Sequence, residues 1–90
     1  MIDRLDGAKI LMISDKGHYH YIKTCGSDDT GIEISYYAIC KYDNDSRIYL
    51  FSCDENMSVE GDTDFNSIDD AMECAERWSK NPIRWLNTCR

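Results

Sequence analysis

The chain contains a single proline, Pro82, and none of its cysteines are paired as C-x-x-C. The first absence excludes proline-rich linkers and binding tracts. The second removes the commonest signature of a zinc ribbon or a dithiol redox centre. No apolar run approaches the roughly 20 residues that a membrane helix needs, so no membrane association is expected. The opening Met1-Ile2-Asp3-Arg4-Leu5-Asp6 lacks the basic head and apolar stretch of an export signal, and a cytoplasmic location is the expectation. There is no G-x-S-x-G, no phosphate-binding glycine loop and no H-E-x-x-H. The reading is therefore of a protein that is not an enzyme, with no catalytic residues and no cofactor.

Basic charge is missing from one long stretch. Between Asp54 and Glu76 the acids Asp54, Glu55, Glu60, Asp62, Asp64, Asp69, Asp70, Glu73 and Glu76 meet no lysine or arginine, whereas Arg77, Lys80, Arg84 and Arg90 follow with no acid among them. The net charge is −7. Phosphates would meet a negative field, which argues against direct nucleic-acid binding. Acidity keeps a small protein soluble, and it can also match a basic protein partner.

What is present suits one globular domain spanning residues 1–90: 42% of the chain is hydrophobic and 30% charged. Five cysteines (Cys25, Cys40, Cys53, Cys74, Cys89) are odd in number and widely spaced. Without an export signal they read as reduced thiols, mostly core filling, rather than as a disulfide framework.

The strongest local signal is a helix over residues 67–80. Ile68, Ala71, Met72, Ala75 and Trp78 repeat at the spacing of one apolar helix face. Ser67 is placed as N-cap, Asp69 and Asp70 at the positive end of the helix dipole, and Arg77 and Lys80 at the negative end. Glu73→Arg77 and Glu76→Lys80 are i,i+4 pairs in the favoured order, and Asn81-Pro82 ends the helix. Such a helix needs a sheet to cover.

Residues 34–42 and 47–53 supply that sheet. Tyr36, Ala38, Cys40 and Tyr42 share one face, with Tyr37 and Ile39 on the other; Ile48 and Leu50 alternate with Tyr49, Phe51 and Cys53. Both faces are partly apolar, which predicts central strands. Residues 57–63 follow as a short strand. Residues 9–14 fit a strand covered on both sides or a short helix. With the turn Asp15-Lys16-Gly17 and the alternating residues 18–23 they read as a hairpin, glycine supplying a left-handed position. Residues 24–31 read as a loop, and residues 82–86 as an edge strand or a tail packed across the helix. The sum is α+β: a single antiparallel sheet of about five strands, with one helix in the C-terminal half packed on one face.

Two constellations have metal-binding character. Asp62, Asp64, Asn66, Asp70 and Glu73 fall at positions 1, 3, 5, 9 and 12 of an EF-hand-like loop, but Ser67 stands where the sharp turn wants glycine. His18 and His20 share one face of a strand, with no third ligand placed by spacing. Neither makes a full ligand set, and the expectation is no metal.

At Tyr49-Leu50-Phe51-Ser52-Cys53-Asp54-Glu55, and again at Gly61-Asp62-Thr63-x-Phe65-x-Ser67-Ile68-x-x-Ala71 with the late Trp85, the chain resembles small bacterial immunity proteins of polymorphic-toxin and contact-inhibition systems, or neighbours of them. The likeness covers roughly residues 36–86, and on it Asp54, Asp62 and Ser67 are turn and cap residues. It implies a non-enzymatic inhibitor that covers the active site of a basic, nuclease-like toxin. A phage-encoded inhibitor of a nucleic-acid-binding defence complex belongs to the same physical class. A small metal- or ligand-binding domain built on the cysteines and histidines is the alternative. On the inhibitor reading, Asp54, Glu55, Glu60, Asp62 and Asp64 steer the partner, and Tyr19 and Tyr21 anchor it as exposed strand tyrosines.

Overall fold

The structure is a computed structural model that describes residues 4–22 and 31–87. Its frame is the antiparallel pair β5 (Tyr36–Lys41) and β6 (Ile48–Cys53), in which Ala38 lies opposite Phe51 and Ile39 opposite Leu50. The sequence alternation becomes a sheet with two apolar faces. Tyr37, Ile39, Ile48 and Leu50 enter one buried cluster, and Ala38, Cys40, Phe51 and Cys53 enter another. Each such aliphatic or aromatic side chain, fully buried, stabilises the fold by about 1.5–3 kcal/mol.

β2 (Ala8–Ser14) pairs along the other side of β5, and β7 (Val59–Phe65) along the other side of β6. β1 (Arg4–Leu5) and β8 (Trp85–Asn87) share the outer edge of β2, at Ala8 and Lys9 and at Met12 to Ser14 respectively. β1 and β2 are joined by Asp6 and Gly7, both at positive φ (53° and 86°). A tight two-residue hairpin turn needs that geometry. A register shift at Leu11 brings both Leu11 and Met12 toward the first cluster, as a β-bulge does.

The main sheet therefore has six strands, in the order β1-β2-β5-β6-β7 with β8 beside β2. β3 (His20–Ile22) and β4 (Ile32–Ile34) form a second, two-stranded sheet. β4 runs into β5 through buried Ser35, whose amide donates to the Cys53 carbonyl (2.9 Å) while its own carbonyl accepts from Gly17 (2.9 Å). One stretch of chain thus serves both sheets. The α+β class holds, with α1 (Ile68–Trp78) as the one helix among the described residues; the single five-stranded sheet does not. Of residues 82–86 only Trp85 and Leu86 enter an edge strand, β8, while Ile83 packs against the first cluster; the short strand at 57–63 begins and ends two residues later.

The hairpin expected from residues 9–14 and 18–23 does not form. β2 pairs with β5 and β3 with β4. Gly17 is not at a positive φ. Its role is space: a Cβ there would stand 2.7 Å from Cζ of Tyr19. The loop at 24–30 and the thiols of Cys25 and Cys89 lie outside the described residues.

α1 packs across β5, β6 and β7 and buries Ala71 and Ala75. Ser67 Oγ accepts from the Asp70 amide (3.1 Å), and Arg77 pairs with Glu73 (3.1 Å). The helix stops at Trp78, short of the expected Lys80, whose amide instead donates to the Tyr19 carbonyl (2.8 Å). Glu76 and Lys80 therefore do not form a helical pair. Trp78, read as core from the stripe, is 41% exposed because it falls on the last turn and overhangs the sheet.

Candidate functional site

β7, V-E-G-D-T-D-F, carries Glu60, Asp62 and Asp64 and no cation. It is a terminal strand of the main sheet, bonded to β6 on one side and to no other strand on its second side among the described residues. Its pairing with β6 sorts its side chains. Gly61 and Thr63 lie opposite Ser52 and Leu50, toward the helix; Asp62 and Asp64 lie opposite Phe51 and Tyr49, on the other face. Residues directly opposite on paired strands point to the same side. Asp62 is thus a strand residue in mid-β7, not the turn residue that the resemblance implied.

A hollow opens on each side of this strand. On the helix side, a space of about 360 Å³ is bounded by His20, Ile22, Gly61, Thr63 and the overhanging Trp78. Gly61 lets the second sheet approach closely, since a Cβ there would come within 3.3 Å of Ile22 Cδ1. On the other side, about 260 Å³ lies among Tyr49, Asp62, Thr63 and Asp64. Arg47 reaches Asp64 Oδ2 at 2.8 Å and donates to Asn66 at 2.9 Å. Both partners of that ion pair are about half exposed, so it adds little stability. Neither Glu60 nor Asp62 is in a salt bridge among the described residues.

The remaining acids serve differently. Asp54 holds a turn: its Oδ1 accepts from the amides of Asn56 and Ser58, both at 2.9 Å, and its carbonyl accepts from Met57, which sits at φ 64°. Glu55 at the tip is exposed. Asp54 and Glu55 border a further hollow of about 350 Å³ with Glu33 of β4. Glu33 binds His18 (2.9 Å) and accepts from the Tyr21 hydroxyl (3.1 Å). The hydrogen bond from His18 holds the Glu33 carboxyl below its usual range.

The two tyrosines separate. Tyr21 is 58% exposed on β3 and available as an anchor. Tyr19 is buried, stacked on Tyr37, with its hydroxyl donating to Asp15 (2.6 Å to the carbonyl, 2.8 Å to Oδ1). Burial pushes its hydroxyl up to about 12. It offers no surface to a partner.

His18 and His20 are engaged apart, since His20 Nδ1 is hydrogen-bonded to the Tyr37 hydroxyl and its ring meets Trp78 edge-on at 5.8 Å. Burial lowers the His20 pKa and keeps the ring neutral near pH 7. The EF-hand-like acids are split between β7 and α1, and no three metal-ligand side chains converge among the described residues. Cys40 and Cys53 are buried, and desolvation raises both thiols to about 12, so they stay protonated and poorly nucleophilic.

The acids singled out in the sequence, Glu60, Asp62 and Asp64, share strand β7, and Trp78, Ile22 and Gly61 beside Asp62 were not among the residues singled out as a site. The one available signal was Gly61, an unexplained glycine inside a strand pattern, which marks a close approach of another backbone or side chain. Comparison with protein-family models, curated proteins and solved structures finds no match to this chain. No helix among the described residues is long and apolar enough to cross a membrane.

Proposed function

We propose that this chain is a non-enzymatic, immunity-type inhibitor that binds a basic, nuclease-like toxin through its acidic surface. The observation that supports the reading most is the placement of exposed Asp62 and Asp64 along a sheet edge that pairs with no second strand among the described residues, with Glu60 half-buried beside them. The exposed helix acids Asp69, Asp70, Glu73 and Glu76 extend the negative field beyond that edge. A field of one sign raises the encounter rate with a basic protein and repels nucleic acid. Glu55, Glu60, Asp62 and Asp64 are the steering residues; Trp78 supplies exposed aromatic area at the hollow that Asp62 lines, and exposed Tyr21 stands on β3 against Glu33. Asp54 belongs to the turn and Tyr19 to the core, so neither contributes contact energy. A phage-encoded inhibitor of a nucleic-acid-binding complex would use the same surface in the same way.

The test is capture from cells of the source organism on the immobilised chain, eluted with rising salt. A basic protein should be retained at low salt and lost when Glu55, Glu60, Asp62 and Asp64 are all changed to lysine. Expressed alone, that protein should arrest growth, and co-expression with the native chain, but not with the reversed one, should restore it. Retention that ignores the four reversals, or a captured protein that is not toxic, would contradict the proposal.

A further inference from the structure

Among the described residues strand β7 ends the main sheet, and an edge strand presents a row of unpaired amide and carbonyl groups to whatever lies beside it. An extended segment added there would gain main-chain hydrogen bonds. Its alternate side chains would enter whatever lies on the two faces of the sheet. Here the two faces differ. Toward the helix is the hollow bounded by Ile22, Gly61 and Trp78; away from it is the one bounded by Tyr49 and Asp64; Asp62 and Thr63, on the strand between them, line both.

We infer that β7 receives an extended strand of a partner protein whose side chains alternate apolar and basic. This rests on the reading that the partner is basic and deepens it by giving the mode of docking. The apolar residues of the incoming strand fill the space under Trp78, floored by Gly61, which contributes no side chain of its own. The basic residues meet Asp62, which is in no salt bridge among the described residues, and Asp64, whose carboxylate Arg47 also holds, on the face that includes Tyr49. Charge decides the occupant. A second copy of this chain paired through β7 would align Asp62 and Asp64 of both copies on one face, and like charges directly opposite are destabilising. The edge therefore excludes itself and admits a cationic strand.

The experiment uses the full chain and a fluorescein-labelled peptide of about eight alternating lysines and valines, near the length of a typical strand. Two controls replace valine by serine or N-methylate alternate amides. The lysine–valine peptide should bind at least about tenfold more tightly than either control, and Trp78→Ala should remove a similar factor. Circular dichroism checks that Trp78→Ala stays folded; if it does not, Gly61→Val, which fills the same hollow from β7, replaces it. Equal binding of all three peptides, lost on Asp62→Lys with Asp64→Lys, would overturn strand addition and leave the acidic surface as the recognition element. No binding of any peptide at low salt would also overturn it, and the capture experiment would then judge the acidic surface alone. A dimer of the chain held through β7 would overturn it as well.

Discussion

Tyr19 lies face to face with Tyr37, ring centroids 5.1 Å apart and planes inclined by 22°, with both rings buried. The pair fastens the segment leading into β3 onto the central strand β5, and it is the reason Tyr19 belongs to the fold and not to the surface. Tyr19→Ala should cost about 3–5 kcal/mol, the range for a buried aromatic. Tyr19→Phe, which keeps the stack and loses the bonds to Asp15, should cost about 1 kcal/mol. Gly17→Ala should cost about 1–3 kcal/mol by pressing a methyl group into the Tyr19 ring. Urea denaturation midpoints read all three, and a neutral Tyr19→Ala would remove the stack from the account.

At the helix, the cap and the last aromatic residue should behave oppositely. Ser67→Ala should cost about 1 kcal/mol, because the Asp70 amide loses its acceptor. Trp78→Ala should cost below the roughly 3–5 kcal/mol of a core aromatic, since the residue is 41% exposed. Its effect should appear in partner binding. The same denaturation series checks both, and a core-sized loss at Trp78 would mean that the ring is packed after all.

The sequence made β5, β6 and the Ser67 cap legible because each rests on local rules: period-two alternation and a hydroxyl before an apolar stripe. Pairing partners were harder to read. Residues 10–13 are apolar on both faces, so nothing local states which strand lies alongside, and a nearby glycine invited a hairpin that long-range pairing overrode. The true tight turn, Asp6-Gly7, had a strong dipeptide signal but only Arg4 and Leu5 ahead of it as strand. The apolar stripe named Trp78 as core because periodicity does not register where the underlying sheet ends. The acids were visible as a run of one sign. That three of them lie on a strand with no second neighbour among the described residues was not, since it depends on the order of strands.

Stability should fall on mild acidification through His20. Burial lowers its pKa from 6.5, so the unfolded chain takes up the proton at a higher pH than the folded one. Stability is therefore fully present above about pH 6.5, is lost progressively below it, and levels off once pH passes the folded value. Glu33 and Asp45, both lowered, act in a separate window further down, where falling pH protonates them. Thermal midpoints from about pH 8 to about pH 5 should drop for the native chain and stay flatter for His20→Gln. Parallel profiles would exclude His20 as the source.

The thiols should be free and should differ in reactivity. Cys40 and Cys53, buried and raised to about 12, should label slowly under native conditions, and half-buried Cys74 should label sooner. Mass spectrometry after timed alkylation separates them. Rapid labelling of Cys40 or Cys53 would reveal a reactive site on β5 or β6.

The acidic edge as a recognition surface is tested most directly by the association rate of the captured partner, measured from low to high ionic strength. The screening length is about 8 Å at physiological salt, so charges at the rim act mainly on encounter. The native chain should associate quickly at low salt and lose speed steeply as salt rises. The chain with lysine at positions 55, 60, 62 and 64 should be slow throughout, with its fold unchanged. An association rate indifferent both to salt and to the four reversals would contradict the account.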